Sequence, residues 1–370
     1  MTPETPAHPT TRGATGSRSR RLRRVVAVLA TVAAGGALAA CGSSASASSA
    51  SSTTSATPVP LVVYAAEGYD QAEVTAFQKA TGIPTKLVDH STGTLLAKIS
   101  AERNNPQWGV FWSDGAEAYA ALDQQHMLVR GFEPTAGTLN ALGKEVVPVD
   151  KSYVPTGLTI AAAVIYNSNV VKNPPTNWTQ LLEPQWKGAV GMNNPAISGP
   201  TYPFVAGVME QLGGVSQGEQ FFTKLKANGL HVYSTNKVTL TALLNGTIKL
   251  ALVQNSAGIG FQFKAPQLKV AYPAKVSLLP GVIGIDAKAP KQEIAEAERF
   301  ANFVYSPKGQ QTMLSGDPHG DSLFSPIVNG VSPHPQVPTL SSLPTISPDP
   351  FTWGPREAGI DQWFTNNIAG

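Results

Sequence analysis

Two hydroxyl- and glycine-rich clusters are the residues most suited to non-covalent chemistry. Ser198-Gly199-Pro200-Thr201 opens one predicted helix and Ser91-Thr92-Gly93-Thr94 another. Free backbone N–H groups and the positive end of the helix dipole favour an anion at such a position. Ordinary helix capping is the competing use of the same hydroxyls. Asn236 stands at a third predicted helix start. Covalent chemistry has no comparable support. The chain contains no Gly-x-Ser-x-Gly elbow, no phosphate loop ending in Gly-Lys-Ser/Thr and no His-Glu-x-x-His pair. His90, His126, His231, His319 and His334 are scattered. Asp317-Pro318-His319-Gly320-Asp321 gathers three metal-ligand types, but its Pro and Gly make it a turn first. The pattern points to binding without turnover, with no resident metal or cofactor.

The first forty residues read as an address. Arg18 to Arg24 form a basic cluster, and Val25 to Ala40 are apolar or small. At about 1.5 Å per residue that run is too short for a bilayer core of roughly 30 Å. Leu38-Ala39-Ala40-Cys41 resembles the lipobox of bacterial lipoproteins, which implies cleavage before Cys41 and diacylation of its thiol. A signal peptide with an incidental cysteine is the alternative, and Arg20-Arg21 leaves twin-arginine export open beside the general route. Residues 1–40 hold six of the 27 Lys and Arg and one of the 24 acids, so the remainder carries 21 basic and 23 acidic residues, a net of −2. That balance argues against nucleic acid as a partner. Cys41 is the chain's one cysteine, so no internal disulfide and no thiolate zinc site can form. Residues 42–57 are Ser, Ala, Thr and Gly with little else, a composition that reads as a flexible tether.

The body that follows alternates strand and helix signals. Leu61 to Ala65, Thr85 to Val88 and Val110 to Trp112 read as strands, separated by a helix from Asp70, its expected N-cap, to Ala80 and another from Thr94 to Arg103. Such alternation predicts a parallel α/β layer. A second series follows, with Ala189 to Met192, His231 to Tyr233 and Leu250 to Gln254 as strands. Its helices are expected over Thr201 to Leu212, after a capping box at Ser216 to Glu219, and near Val238 to Leu244. Leu158 to Tyr166 has no turn residues and suits a crossing between two domains; Lys269 to Ile285 suits the return. Glu293 to Val304 reads as an amphipathic helix rejoining the first layer. The Pro-rich stretch from Val331 to Pro350 reads as a surface strap, docked by Trp353 and Trp363.

The order of these pieces resembles the ferric-iron and phosphonate branch of the ABC-transporter substrate-binding proteins. The residues that carry the likeness include Phe77 to Gly82, Ser91-Thr92-Gly93, Val110 to Asp114, Trp186-Lys187-Gly188, Asn245-Gly246 and Phe300 to Gly309, and it spans Leu61 to at least Leu314. The resemblance implies a two-lobed type II periplasmic-binding-protein-like α/β fold, with a hinge and a ligand closed between the lobes. Residues 58–160 and 283–325 then form lobe 1, residues 161–282 form lobe 2, and residues 326–370 the strap. It also implies that the hydroxyl clusters face one cleft, joined by Asn236, Gln254, Asn255 and Ser256. Where the iron branch has a Tyr pair, this sequence has Asn255-Ser256-Ala257, a poor donor set for a hard trivalent cation. Asp114, Glu67 or Tyr69 would meet an amino group on the ligand, although Asp114 equally suits a helix N-cap; Tyr64 and Trp112 suit the core. The expectation is a monomeric, extracytoplasmic lipoprotein that captures a small anionic or zwitterionic solute, such as 2-aminoethylphosphonate, for an ABC permease and ATPase. An iron or iron-chelate receptor, a lipid-anchored envelope hydrolase and a ligand-sensing receptor are the alternatives.

Overall fold

The computed structural model describes residues 59–273 and 275–370. The expected leader, Cys41 and the tether lie outside the described residues. Eleven strands are found among those residues. They are β1 (Leu61–Ala65), β2 (Thr85–Asp89), β3 (Val110–Asp114), β4 (Val154–Ile160), β5 (Ala163–Asn167), β6 (Val190–Asn193), β7 (His231–Tyr233), β8 (Leu250–Val253), β9 (Leu268–Ala271), β10 (Val276–Ile285) and β11 (Thr345–Ile346). Twelve α-helices flank them. The first six are α1 (Asp70–Thr81), α2 (Thr92–Ala101), α3 (Ala116–Gln124), α4 (Ala141–Glu145), α5 (Thr201–Gln211) and α6 (Val215–Ala227). The rest are α7 (Asn236–Leu244), α8 (Asn255–Gln262), α9 (Lys291–Tyr305), α10 (Pro307–Gly316), α11 (Pro350–Trp353) and α12 (Glu357–Phe364).

The strands form two sheets. In the first, β1 lies between β2 and β3 with all three parallel, and β10 runs antiparallel to both β3 and β4. In the second, the order is β7-β6-β8-β5-β9, parallel at the β7-β6-β8 end and antiparallel around β5. Each sheet with its helices makes up one lobe. β3, β4 and β8 are buried along their whole length, and β8, Leu-Ala-Leu-Val, accordingly reads as an unbroken apolar run instead of an alternating one. α9 buries Ala297, Phe300, Ala301 and Val304 against the first sheet, spacings of three and four that leave Lys291 and Arg299 exposed.

The chain crosses between the sheets within the stretch expected from the sequence. Leu158 to Tyr166 is two strands in different sheets, with Ala161 and Ala162 between them. β10 pairs in the first sheet over its whole length, so by strand pairing the chain returns between Ala271 and Val276, before the expected boundary at 282. Two helix starts also shift. α1 is capped by Tyr69, with Asp70 already its first residue, and α6 begins at Val215 after Gly214, which puts Ser216 inside its first turn. The strap adds β11 to the edge of β10 and then enters the second lobe's core, where Trp353 is 3% exposed and Phe364 fully buried. Trp363 is half-buried against the same core. No described helix is long and apolar enough to cross a membrane.

Candidate functional site

A cavity of about 480 Å³ lies between the lobes. It sits at the carboxyl ends of β1, β2, β3, β6, β7 and β8, where an open α/β sheet leaves its loops free to meet a ligand. The first-lobe wall carries Glu67 and Asp70 after β1, Asp89 and His90 after β2, Ser91 and Thr92 at the start of α2, Asp114 ending β3, and Asp321 beyond α10. The second-lobe wall carries Ile197 to Pro200 before α5, Ser234 to Lys237 around the start of α7, and Gln254 after β8.

The walls are opposite in electrostatic character. Five carboxylates line the first and none lines the second, whose one charged side chain is Lys237 in the first turn of α7. The amino termini of α5 and α7, eleven and nine residues long, both open at the second wall, and their first N–H groups have no intrahelical partner. Asn193, at the end of β6, braces both starts. With its amide oriented to satisfy both ends, its oxygen accepts from the Ser198 hydroxyl at 3.2 Å and the Asn236 N–H at 3.3 Å, and its nitrogen donates to the Thr235 carbonyl at 3.1 Å.

The lobes touch across the cavity. Gln254 Nε2 donates to Asp114 Oδ2 at 3.0 Å and to Thr159 Oγ1 at 3.2 Å. Gly93 N–H donates to the Ile197 carbonyl at 3.4 Å. A Cβ on Gly93 would lie 2.1 Å from the Ala196 carbonyl oxygen, and one on Gly199 would lie 2.4 Å from Thr92 Oγ1. Those two glycines are what let the lobes approach so closely.

The sequence carries a match to one family over residues 72–345, described as bacterial extracellular solute-binding protein. The chain belongs to that family. This solute-binding protein is 26% identical over 270 residues to a periplasmic protein of Salmonella typhimurium named for binding 2-aminoethylphosphonate, covering 69% of this chain and 76% of that one. It is 27% identical over 290 residues to the major ferric iron-binding protein of Neisseria meningitidis serogroup B, covering 73% and 85%. Its fold matches that of the periplasmic binding protein P5PA with a TM-score of 0.73 at 20% identity, over 84% of this chain and 99% of that one. The solute-binding protein is accordingly the extracytoplasmic receptor component of an ABC importer, and its architecture is the type II periplasmic-binding-protein fold.

Of the residues singled out in the sequence, Ser91, Thr92, Asp114, Ser198, Gly199, Asn236 and Gln254 line the cavity. Gly93 meets the opposite lobe beside it. Thr94 pairs with Ser91, whose hydroxyl caps α2, so the capping use of that cluster is realised. Thr201 is buried as the first residue of α5 and gives its N–H to the Ser198 carbonyl at 3.0 Å. Asn255 accepts from the Ile160 N–H at 2.9 Å on the crossing strand β4 and Ser256 is fully buried, and neither lines the cavity. Asp114 is not a helix cap; Gly115 holds that place before α3. Tyr64 and Trp112 are core residues, 1% and 0% exposed. Tyr69 packs its ring on Trp112 and Phe324, behind the wall.

The acids of the solute-binding protein's first wall include several that sequence reading missed, and their environment is unusual. Burial, then Asp114, Asp321 and Asp70, push the Glu67 carboxyl well above its usual range. Burial and Asp321 push Asp114 up in the same way, against the opposing effect of its Gln254 hydrogen bond. Asp70 is pushed up to about 7 by burial and Asp89, and Asp321 to about 6, chiefly by burial. Asp321 Oδ2 accepts from the Gly68 N–H at 2.8 Å, and Asp317 Oδ2 accepts from the Asp321 N–H at 2.8 Å, so the Asp-Pro-His-Gly-Asp segment is a turn that delivers one carboxylate to the cavity. Among the described residues no group of three or more His, Cys, Asp or Glu is arranged to hold a metal ion.

Proposed function

We propose that this receptor captures a small solute through a phosphonate-type anionic group, with 2-aminoethylphosphonate the favoured cargo. The convergence of the α5 and α7 amino termini on one acid-free wall supports this most strongly. Ser198, Gly199, Asn236 and Lys237 hold the anion in that reading, Ser91 and Thr92 complete the enclosure from across the cleft as the lobes close, and Gln254 of the second lobe bridges to Asp114 of the first. Charge-assisted hydrogen bonds contribute roughly 1.5 to 3 kcal/mol each, so three or four of them are enough to bias an open–closed equilibrium of a few kcal/mol. The closed form is what the permease reads. Diacylated Cys41 tethers a monomeric body to the outer face of the membrane. An iron-chelate cargo is the second reading, favoured by the carboxylate wall and by the Neisseria relative.

A thermal-shift panel separates the two. A ligand at 100 times its Kd stabilises the native state by about 2.7 kcal/mol. The expected result is a rise in Tm with 2-aminoethylphosphonate and none with ferric citrate; the opposite pair of results replaces the first reading with the second. For the tether, a Cys41→Ser variant is expected to leave the membrane fraction once its leader is removed, and continued membrane association would exclude lipid anchoring.

A further inference from the structure

We infer that Glu67, Asp114 and Asp321 form a subsite for an organic ammonium group, so that the solute is a zwitterion and not a simple anion. The inference rests on the anion reading of the opposite wall. Its own basis is the state of the acids. Glu67 and Asp70 are 4% and 3% exposed, line the cavity, and each keeps one carboxylate oxygen, Glu67 Oε1 and Asp70 Oδ2, without a hydrogen-bond partner. Buried carboxylates in native proteins are paired, hydrogen-bonded or neutralised, because an isolated buried charge is costly. On their own wall these have no Lys or Arg. The groups facing Glu67 are Tyr69, which hydrogen-bonds it, with Asp70, Asp114 and Asp321; Asp317 lies behind Asp321, and Asp89 acts on Asp70. His90 and, from the opposite lobe, Lys237 complete the titratable lining.

An ammonium group fits this wall better than a metal ion. It carries three donors and asks for acceptors without a fixed coordination polyhedron, whereas the described acids are not arranged as a metal set. The placement also explains the polarity of the cavity: acids without cations on one wall, helix amino termini and Lys237 on the other. A short zwitterion spans the two with each end on its own complement. Burial and mutual repulsion displace Glu67, Asp114 and Asp321 upward, so protons compete with a cation for this wall. An ammonium that docks beside them favours their ionised forms, so binding releases protons to solvent.

Isothermal titration of the purified protein at pH about 6.5, repeated in buffers of different ionisation enthalpy, tests this with three probes: 2-aminoethylphosphonate, ethylphosphonate and 1,3-diaminopropane. The amino-phosphonate is expected to bind at least about tenfold more tightly than ethylphosphonate, the worth of one charge-assisted contact, with net proton release. Glu67→Gln, or Asp321→Asn at the less buried edge should Glu67→Gln fail to fold, is expected to narrow that ratio and reduce the proton release. Equal affinity for the two phosphonates would overturn the ammonium subsite and leave the anion site standing. Binding of the diamine with neither phosphonate bound would uphold the subsite and overturn the phosphonate reading. No heat with any probe would overturn both. Competition by calcium chloride that a chelator reverses would reassign the wall to a metal ion.

Discussion

Gln254 is the side chain that joins the two walls, because it leaves the second lobe and reaches Asp114 and Thr159 at the base of the cleft. A hydrogen bond to a charged or strongly polarised partner contributes about 1.5 to 3 kcal/mol, so Gln254→Ala is expected to weaken ligand binding by about 10- to 100-fold, measured by titration calorimetry. Unchanged affinity would mean that this contact does not bear on closure. The acids predict an unusual pH response. Asp70, pushed up to about 7, and Asp321, pushed up to about 6, keep protons in the folded chain where unfolded carboxyls near 3.8 have lost them. The native state therefore binds more protons than the unfolded state between about pH 4 and 7, and stability falls as pH rises through that window, then levels off. Calorimetric Tm of the ligand-free protein should decline from about pH 5 to 7, and a rise over the same interval would contradict the burial of these groups. Legibility at this scale follows locality. Ser198, Gly199 and Asn236 were readable because a helix start is a property of neighbouring residues. Asp70, Asp321 and Lys237 were not, because they converge on the cavity from well-separated parts of the chain and only the tertiary fold brings them together. Asn255 and Ser256, next to Gln254 in the first turn of α8, do not line the cavity, and Asn255 instead accepts from the Ile160 N–H.

At the scale of elements, the amino terminus of α2 and the loop before α5 form the rim where the lobes meet. Gly93 has no room for a side chain against the Ala196 carbonyl, and the atom in the way is backbone. Gly93→Ala is thus expected to bias the receptor toward its open form and reduce affinity by about tenfold or more, since apparent affinity falls with the fraction of competent protein. Small-angle scattering should show no ligand-induced decrease in radius of gyration in that variant; normal compaction would remove the rim from the account. The strap is held differently. Trp353 Nε1 donates to Glu210 Oε2 at 2.7 Å, its carbonyl accepts from the Tyr202 hydroxyl at 2.7 Å, and Phe364 meets Phe222 edge-on at 5.5 Å. Trp353→Ala is expected to cost about 3 to 5 kcal/mol, read as a lower urea midpoint, because it opens a cavity and leaves Glu210 without its indole partner. The strands and helices of both lobes were readable where short apolar runs alternate with spacings of three and four. The break inside Leu158 to Tyr166 was not, because Ala161 and Ala162 carry no turn signal and the division is imposed by two separate sheets competing for the flanking residues.

For the whole molecule, the decisive property is polarity across the cleft: an acidic wall from the first lobe faces helix amino termini and Lys237 from the second. A solute with separated charges would bind both walls at once, and only when they are close, which supplies the differential affinity that closure requires. A simple anion would satisfy the second wall in either state and leave the acids to their protons. The most direct test is a crystal structure of the protein with 2-aminoethylphosphonate. The account predicts one molecule in the interlobe cavity, its phosphonate oxygens on Ser198, Gly199 and the α7 amino terminus and its ammonium nitrogen within hydrogen-bond distance of Glu67, Asp114 or Asp321. A ligand bound outside that cavity, or inside it with its ends reversed, would contradict it.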